Sequence, residues 1–143
     1  MKYPVITLWQ PWAQFIANGW KTIETRTHHR FFGLKGRNIL IHAGAKWDKN
    51  WIEHAEPWMD VNIFDQATQI LKVEPQILCM AYVDNFGPLN QGHSSKALIN
   101  CFPVPLKRYG LFLSDIQRNE PIYIKGHQGI WYVDQSILEG DNQ

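Results

Sequence analysis

The longest apolar run in the chain is "ILCMAYV" (residues 77–83). That is far short of the roughly 20 residues a membrane-crossing helix needs, so no membrane role is expected. Cysteine is scarce. Cys79 and Cys101 are the only two, and no Cys pair stands at zinc-finger spacing. Both are read as reduced, since a chain of this size needs no disulfide staple. The start, "MKYPVITLWQPW", has no unbroken apolar core and no small-residue cleavage site, so a secretory leader is not expected. Cytoplasm is the expected location. No repeat, low-complexity tract or linker interrupts the chain. "GLKG" and "GHQG" are short turns without the strand-to-helix setting of a nucleotide phosphate loop. His28 and His29 are neighbours, which on a strand face opposite ways, so no metal or other cofactor is expected.

Net charge is also small, at +1 over 143 residues. Global electrostatics therefore does not mark a nucleic-acid binder, but its distribution is uneven. Residues 20–50 hold seven Lys and Arg against two acids, and the remainder holds seven against eleven. A basic segment on an otherwise acidic chain can steer an anionic partner. Hydrophobic residues make up 45% and charged residues 19%, the balance of a globular chain rather than a disordered one. One domain, residues 1–143, is expected from the length.

Aromatics are plentiful and clustered. "WQPWAQFIANGWKTIETRTHHR" (9–30) sets three tryptophans beside Lys21, Glu24, Arg26 and Arg30. "YPVITL" reads as a strand. Pro11 suits a first helical position, and Trp12, Phe15 and Ile16 share one helical face. Asn18-Gly19 stops that helix. "TIETRT" is β-prone, with Thr22, Glu24 and Arg26 on one face. "NILIHA" is a strand. Two helices should follow: "WDKNWIEHA", with Trp47, Trp51 and Ala55 in line, and "DVNIFDQATQILK", capped by Asp60 with Val61, Phe64, Ala67 and Leu71 buried. "QILCMAYV" should be a central strand covered on both faces, and "NFGPLNQGHSS" a loop. "RYGLFLS", "PIYIK" and "GIWYV" read as three short strands, with turns at Arg118–Glu120 and "KGHQG". Short turns favour antiparallel pairing. The fold class is α+β: a small, mostly antiparallel β-barrel with flanking helices and a two-helix insert at about 50–75.

"ITLWQPWAQFIANGWKTIETR" resembles the signature of the ASCH domains (activating signal cointegrator homology), a branch of the PUA-like superfamily. Their pattern is a strand, Q-P-W-A, a helix and G-x-K-T-x-E-x-R. It is matched by Gln10, Pro11, Trp12 and Ala13, then Gly19, Lys21, Thr22, Glu24 and Arg26. "ILIHAGAK" (39–46), "YGLFLSD" and "PIYIKGHQGIWYV" continue the likeness, which is weakest at 50–75 and 85–108. The resemblance implies a PUA-like barrel with a helix beside a cleft lined by the G-x-K-x-x-E-x-R segment. It also implies RNA or a nucleotide-like molecule as partner, since the family is generally thought to bind RNA. Some members are hydrolases of modified nucleosides or nucleases. Members that act as nucleoside amidohydrolases resemble K-T-x-T-x-R, with threonine as nucleophile where this chain has Glu24.

The candidate binding residues are Trp9, Gln10, Lys21, Glu24, Arg26, His42, Lys46 and Lys125. Lys21 can contact a phosphate or, with its pKa depressed, activate water. Glu24 can accept from a base edge or act as a general base, so Lys21 and Glu24 are the catalytic pair if the chain is an enzyme. Arg26 can hold a phosphate or stack on a base, although a plain Glu24–Arg26 salt bridge fits the spacing equally well. Trp9 can stack on a base, and Gln10 offers donor and acceptor. Trp12 and Trp131 read as core. His42 reads first as a hydrogen-bonded structural residue, and the resemblance places it near the cleft. Lys46 and Lys125 can meet phosphates or simply face solvent. A protein-interaction module is the remaining alternative.

Overall fold

Strand β1 (Lys2–Gln10) and strand β3 (Asn38–Trp47) run parallel at the heart of a six-stranded sheet. The computed structural model describes residues 1–101 and 108–139. β4 (Gln76–Pro88) lies antiparallel to β3, β5 (Tyr109–Tyr123) antiparallel to β4, and β2 (Ile23–Arg26) antiparallel to β5. β6 (Ile130–Asp134) pairs with the other side of β1. The order is β2-β5-β4-β3-β1-β6. No β2–β6 ladder closes it among the described residues, so the architecture is mixed α+β around one open sheet, mostly antiparallel as expected.

Side-chain alternation explains why the central strands are apolar throughout. Ile6 and Leu8 of β1 join Ile39 and Ile41 of β3 in the main cluster, beneath Ile16 of α1 (Trp12–Ala17). The adjacent Val5 and Leu40 turn to the opposite face, where they meet Ile77, Trp131 and Val133. A third cluster joins Phe15 of α1 to Trp51 and Ala55 of α2 (Trp51–Ala55), and to Ala67 of α3 (Val61–Ala67). Among the described residues no helix is long and apolar enough to cross a membrane.

Several sequence expectations are corrected. Trp47 ends β3 instead of entering a helix. α3 is shorter than expected, so the buried stripe keeps Ala67 and the half-buried Phe64, whereas Val61 and Leu71 are 75% and 79% exposed. Thr68 turns its hydroxyl back to the Asp65 carbonyl at 2.8 Å, and Leu71 lies past the helix end. Asp60 does cap α3, accepting from Asn62 N at 2.8 Å. The expected turn at Arg118–Glu120 is absent, because β5 runs unbroken from Tyr109 to Tyr123. Its register against β4 shifts between the Ile77↔Ile122 and Cys79↔Arg118 pairs. That bulge takes up Pro121, whose missing N–H would otherwise break the ladder. Asn85–Pro88 belongs to β4, not to a loop, because β5 pairs with it. After it comes α4 (Ser94–Ala97). Residues 102–107 of the stretch expected to diverge from the family pattern lie outside the described residues.

Candidate functional site

Gly19 sets the geometry of the site. It takes φ +79°, a conformation that glycine adopts without strain. The chain reverses there, and the N–H groups of Trp20 and Lys21 both donate to the Phe15 carbonyl, at 2.9 and 3.1 Å. Lys21 is thereby aimed inward and is only 2% exposed. Its ammonium donates to the Ala97 carbonyl at the end of α4. It stands 3.7 Å from Glu24 Oε1 and 5.0 Å from the Trp12 ring centroid. Burial pushes its pKa down, and the Glu24 carboxylate opposes that without cancelling it.

Glu24 is held from both sides. Its second oxygen, Oε2, lies 3.4 Å from Arg26 Nη2. The Arg26 guanidinium sits over the Phe31 ring at 4.9 Å, while its Nε is buried without a hydrogen-bond partner. In front of this chain of charges opens a cavity of about 990 Å³. Thr7, Leu8 and Trp9 of β1, Trp12 of α1, and Gly44 to Lys46 of β3 form one side. Glu24 and Arg26 of β2 form another, with His28, Arg30 and Phe31 just after it. Asp48, Pro75 and the turn Lys125–Gly129 complete the rim. Trp9 is 52% exposed, with the Lys46 ammonium 5.3 Å from its ring centroid. Asp48 Oδ2 accepts from Trp12 Nε1 at 2.9 Å.

The cavity thus gathers Trp9, Glu24, Arg26, Lys46 and Lys125. Lys21, Gln10 and His42 stand elsewhere. Lys21 lies beneath the floor, touching the cavity only through Glu24 and Trp12. Gln10 is fully buried. Its Nε2 donates to the carbonyls of Gly44 and Val73, at 2.6 and 2.9 Å. Its Oε1 accepts from Gln14 Nε2 and Val73 N, at 2.9 and 3.1 Å. No hydrogen-bonding capacity is left for a ligand, so its assignment as a contact residue is corrected. His42 is also fully buried, with Nε2 donating to the Ile124 carbonyl at 2.7 Å and Nδ1 unpartnered. Burial lowers its pKa. Its ring meets Trp131 edge-on at 5.4 Å, and Trp131 Nε1 donates to Thr7 Oγ1 at 3.0 Å. His42 therefore braces the wall that Thr7 and Gly126 present.

A model of the ASCH domain matches residues 6–100. The chain belongs to the ASCH family. Its fold is similar to the crystal structure of ASCH from Zymomonas mobilis, at 17% identity and TM-score 0.60, over 96% of this chain and 91% of that one. Structures of two mutants of the same Zymomonas mobilis protein are similar at 16% identity each. One, at TM-score 0.60, covers 97% of this chain and 95% of that one; the other, at 0.57, covers 96% and 92%. No curated protein matches. The matched span of this ASCH chain holds Lys21, Glu24, Arg26 and Lys46 and stops before the Lys125–Gly129 turn.

Sequence reasoning missed Trp12 as a cavity residue because its helical face also carries core positions. It missed Phe31, Asp48 and His127 because no short-range pattern links them, and it left Arg30, part of the 9–30 run, off the candidate residues. A residual signal existed in the basic excess of residues 20–50, which supplies Arg26, Arg30 and Lys46. Both acids of the cavity are engaged, Glu24 by Lys21 and Arg26, and Asp48 by Trp12 and the Asn50 amide. The arginines and lysines on the rim set the field, which favours an anion. Among the described residues no group of three His, Cys, Asp or Glu is placed to hold a metal ion.

Proposed function

We propose that this ASCH chain binds RNA or a nucleotide-like ligand in the cavity between β1, β2 and the Lys125–Gly129 turn. The observation that carries this reading is the pairing of an exposed indole, Trp9, with the ammonium of Lys46, in a cavity whose carboxylates are already engaged. A base stacked on such a ring gains about 1–3 kcal/mol. Arg26, Arg30, Lys46 and Lys125 are disposed to meet phosphates. The chain acts as one ASCH domain, with the 50–75 segment bracing α1 and supplying Pro75 to the rim. Its sheet is read as an incompletely closed PUA-like barrel. Laid flat, four strand spacings would hold β2 about 19 Å from β1, yet both strands line one cavity.

Titration with nucleosides and short RNAs, read by tryptophan fluorescence, tests this. Binding should weaken steeply with salt as displaced counterions lose their advantage. Trp9→Ala and Lys46→Ala should each weaken it without lowering the melting temperature. Absence of binding to any RNA or DNA at low salt would reject the reading.

Hydrolysis of RNA or a modified nucleoside by Lys21 and Glu24 is the second reading. One observation favours it: burial lowers the Lys21 pKa, the direction an amine base requires. Against it, the ammonium faces the Ala97 carbonyl and does not line the cavity. Turnover of RNA or an acylated nucleoside, lost in both Lys21→Ala and Glu24→Ala, would promote this reading over binding alone. A protein recovered on the cavity face after nuclease treatment would instead favour an interaction module.

A further inference from the structure

A second, smaller pocket of about 260 Å³ lies beside the first, lined by Thr25, Arg26, Thr27, His28 and Arg108. Arg26 and His28 border both pockets. Thr25 has opposite parity to Glu24 on β2, so it faces away from the cavity floor. Continuing the β2–β5 register one step past Arg26↔Tyr109 sets Thr27 opposite Arg108. The small pocket therefore wraps the free edge of the sheet where β2 ends.

Its chemistry is that of an anion site. Among the described residues Arg108 forms no ion pair and no carboxylate lines the pocket. Arg26 keeps a buried Nε–H without an acceptor, and an orphaned donor of this kind calls for a partner. Thr25 and Thr27 add hydroxyl donors. The volume is below the ~300 Å³ at which drug-sized pockets begin. It suits a phosphate group rather than a second base. A molecule that fills both pockets must carry an aromatic unit and an anionic group on either side of Arg26. A nucleoside monophosphate has a single phosphate, which Lys46 and Lys125 of the main cavity can take, whereas a strand, with a phosphate at each link, has another for the small pocket.

Resting on the reading of the main cavity as a nucleotide site, we infer that the Arg108 pocket is a second phosphate subsite. The ligand is accordingly a single-stranded nucleic acid of at least two nucleotides. One base lodges in the cavity, which requires it to be unstacked. The adjoining phosphate crosses the β2 edge over Arg26 and is received by Arg108 and the two threonines.

The test compares a nucleoside monophosphate with di- and trinucleotides of the same base. Wild-type protein should bind the oligomers more tightly than the monophosphate. Arg108→Ala should erase that gain while leaving monophosphate affinity unchanged, and should reduce the salt slope for the oligomer by about 0.7, the value for one single-strand phosphate contact. Thr27→Asp, at an exposed position that should not affect folding, should weaken the oligomer in the same way. Equal affinity of wild type for monophosphate and oligomer would overturn the subsite and leave the cavity reading standing. An equal loss for both ligands in Arg108→Ala would overturn it as well. Failure of wild type to bind either ligand would remove the cavity reading and this inference together.

Discussion

Lys21 shows what a buried charge does to a folded chain. Desolvation lowers its pKa, so the native state gives up the proton at a lower pH than the unfolded state, where lysine titrates near 10.5. Between those two values the unfolded chain holds more protons, and stability rises with pH. The penalty is present at neutral pH and is relieved as pH climbs toward 10.5. Lys21→Met removes the titration. The unfolding free energy of wild type minus that of Lys21→Met should therefore increase as pH rises from neutrality, in urea melts at a series of pH values. A constant gap would contradict the burial. Gln10 makes the complementary point. Gln10→Ala strands polar groups of α1, β3 and the segment before β4, and should cost about 2–3 kcal/mol of stability. At a temperature where the variant is folded, ligand affinity should stay at the wild-type value, since the amide does not reach the cavity. Both side chains belong to the motif legible in sequence. Their partners were not, because Ala97 and Val73 lie 76 and 63 residues away.

Among the elements, the connection between β5 and β6 is tightly fitted at Gly126. A Cβ on Gly126 would stand 2.6 Å from His42 Cε1 and 2.7 Å from Thr7 Oγ1. His42 is buried and pinned by Ile124, so it cannot retreat freely. Gly126→Ala should cost about 1–3 kcal/mol through overpacking, visible as a lower melting temperature, and should weaken ligand binding by displacing Lys125 and Gln128. Sequence patterning located most strands and the end of α1, because apolar alternation and Asn18-Gly19 are local signals. It failed where pairing overruled local chemistry. Arg118–Glu120 looks like a turn, yet β5 runs through it as strand, held against β4 across a bulge. Asn85–Pro88 looks like a loop, yet it pairs with β5. In α3 the apolar residues continue past the helix end, so periodicity overstated its length.

For the whole molecule, the two thiols report on cooperativity. Cys79 and Cys101 are free and fully buried, and burial pushes the Cys79 thiol up to about 12. Neither should react with a thiol reagent at mildly alkaline pH while the chain is folded. Modification should track global unfolding in a denaturant series, and rapid labelling under native conditions would show that the core opens locally. Family membership and the α+β class were legible from short motifs. The cavity was not, since its residues run from Thr7 to Gly129 and meet only through the curl of the sheet. That curl leaves β2 and β6 as two rims with no ladder between them among the described residues. Whatever occupies the space would touch Glu24 and Arg26 on one rim and the turn leading into the other. It would act as a clasp across an unstitched seam. Amide hydrogen exchange along Ile23–Arg26 and Ile130–Asp134 should then slow in concert when the ligand is added, while the central strands, already fully paired, stay unchanged.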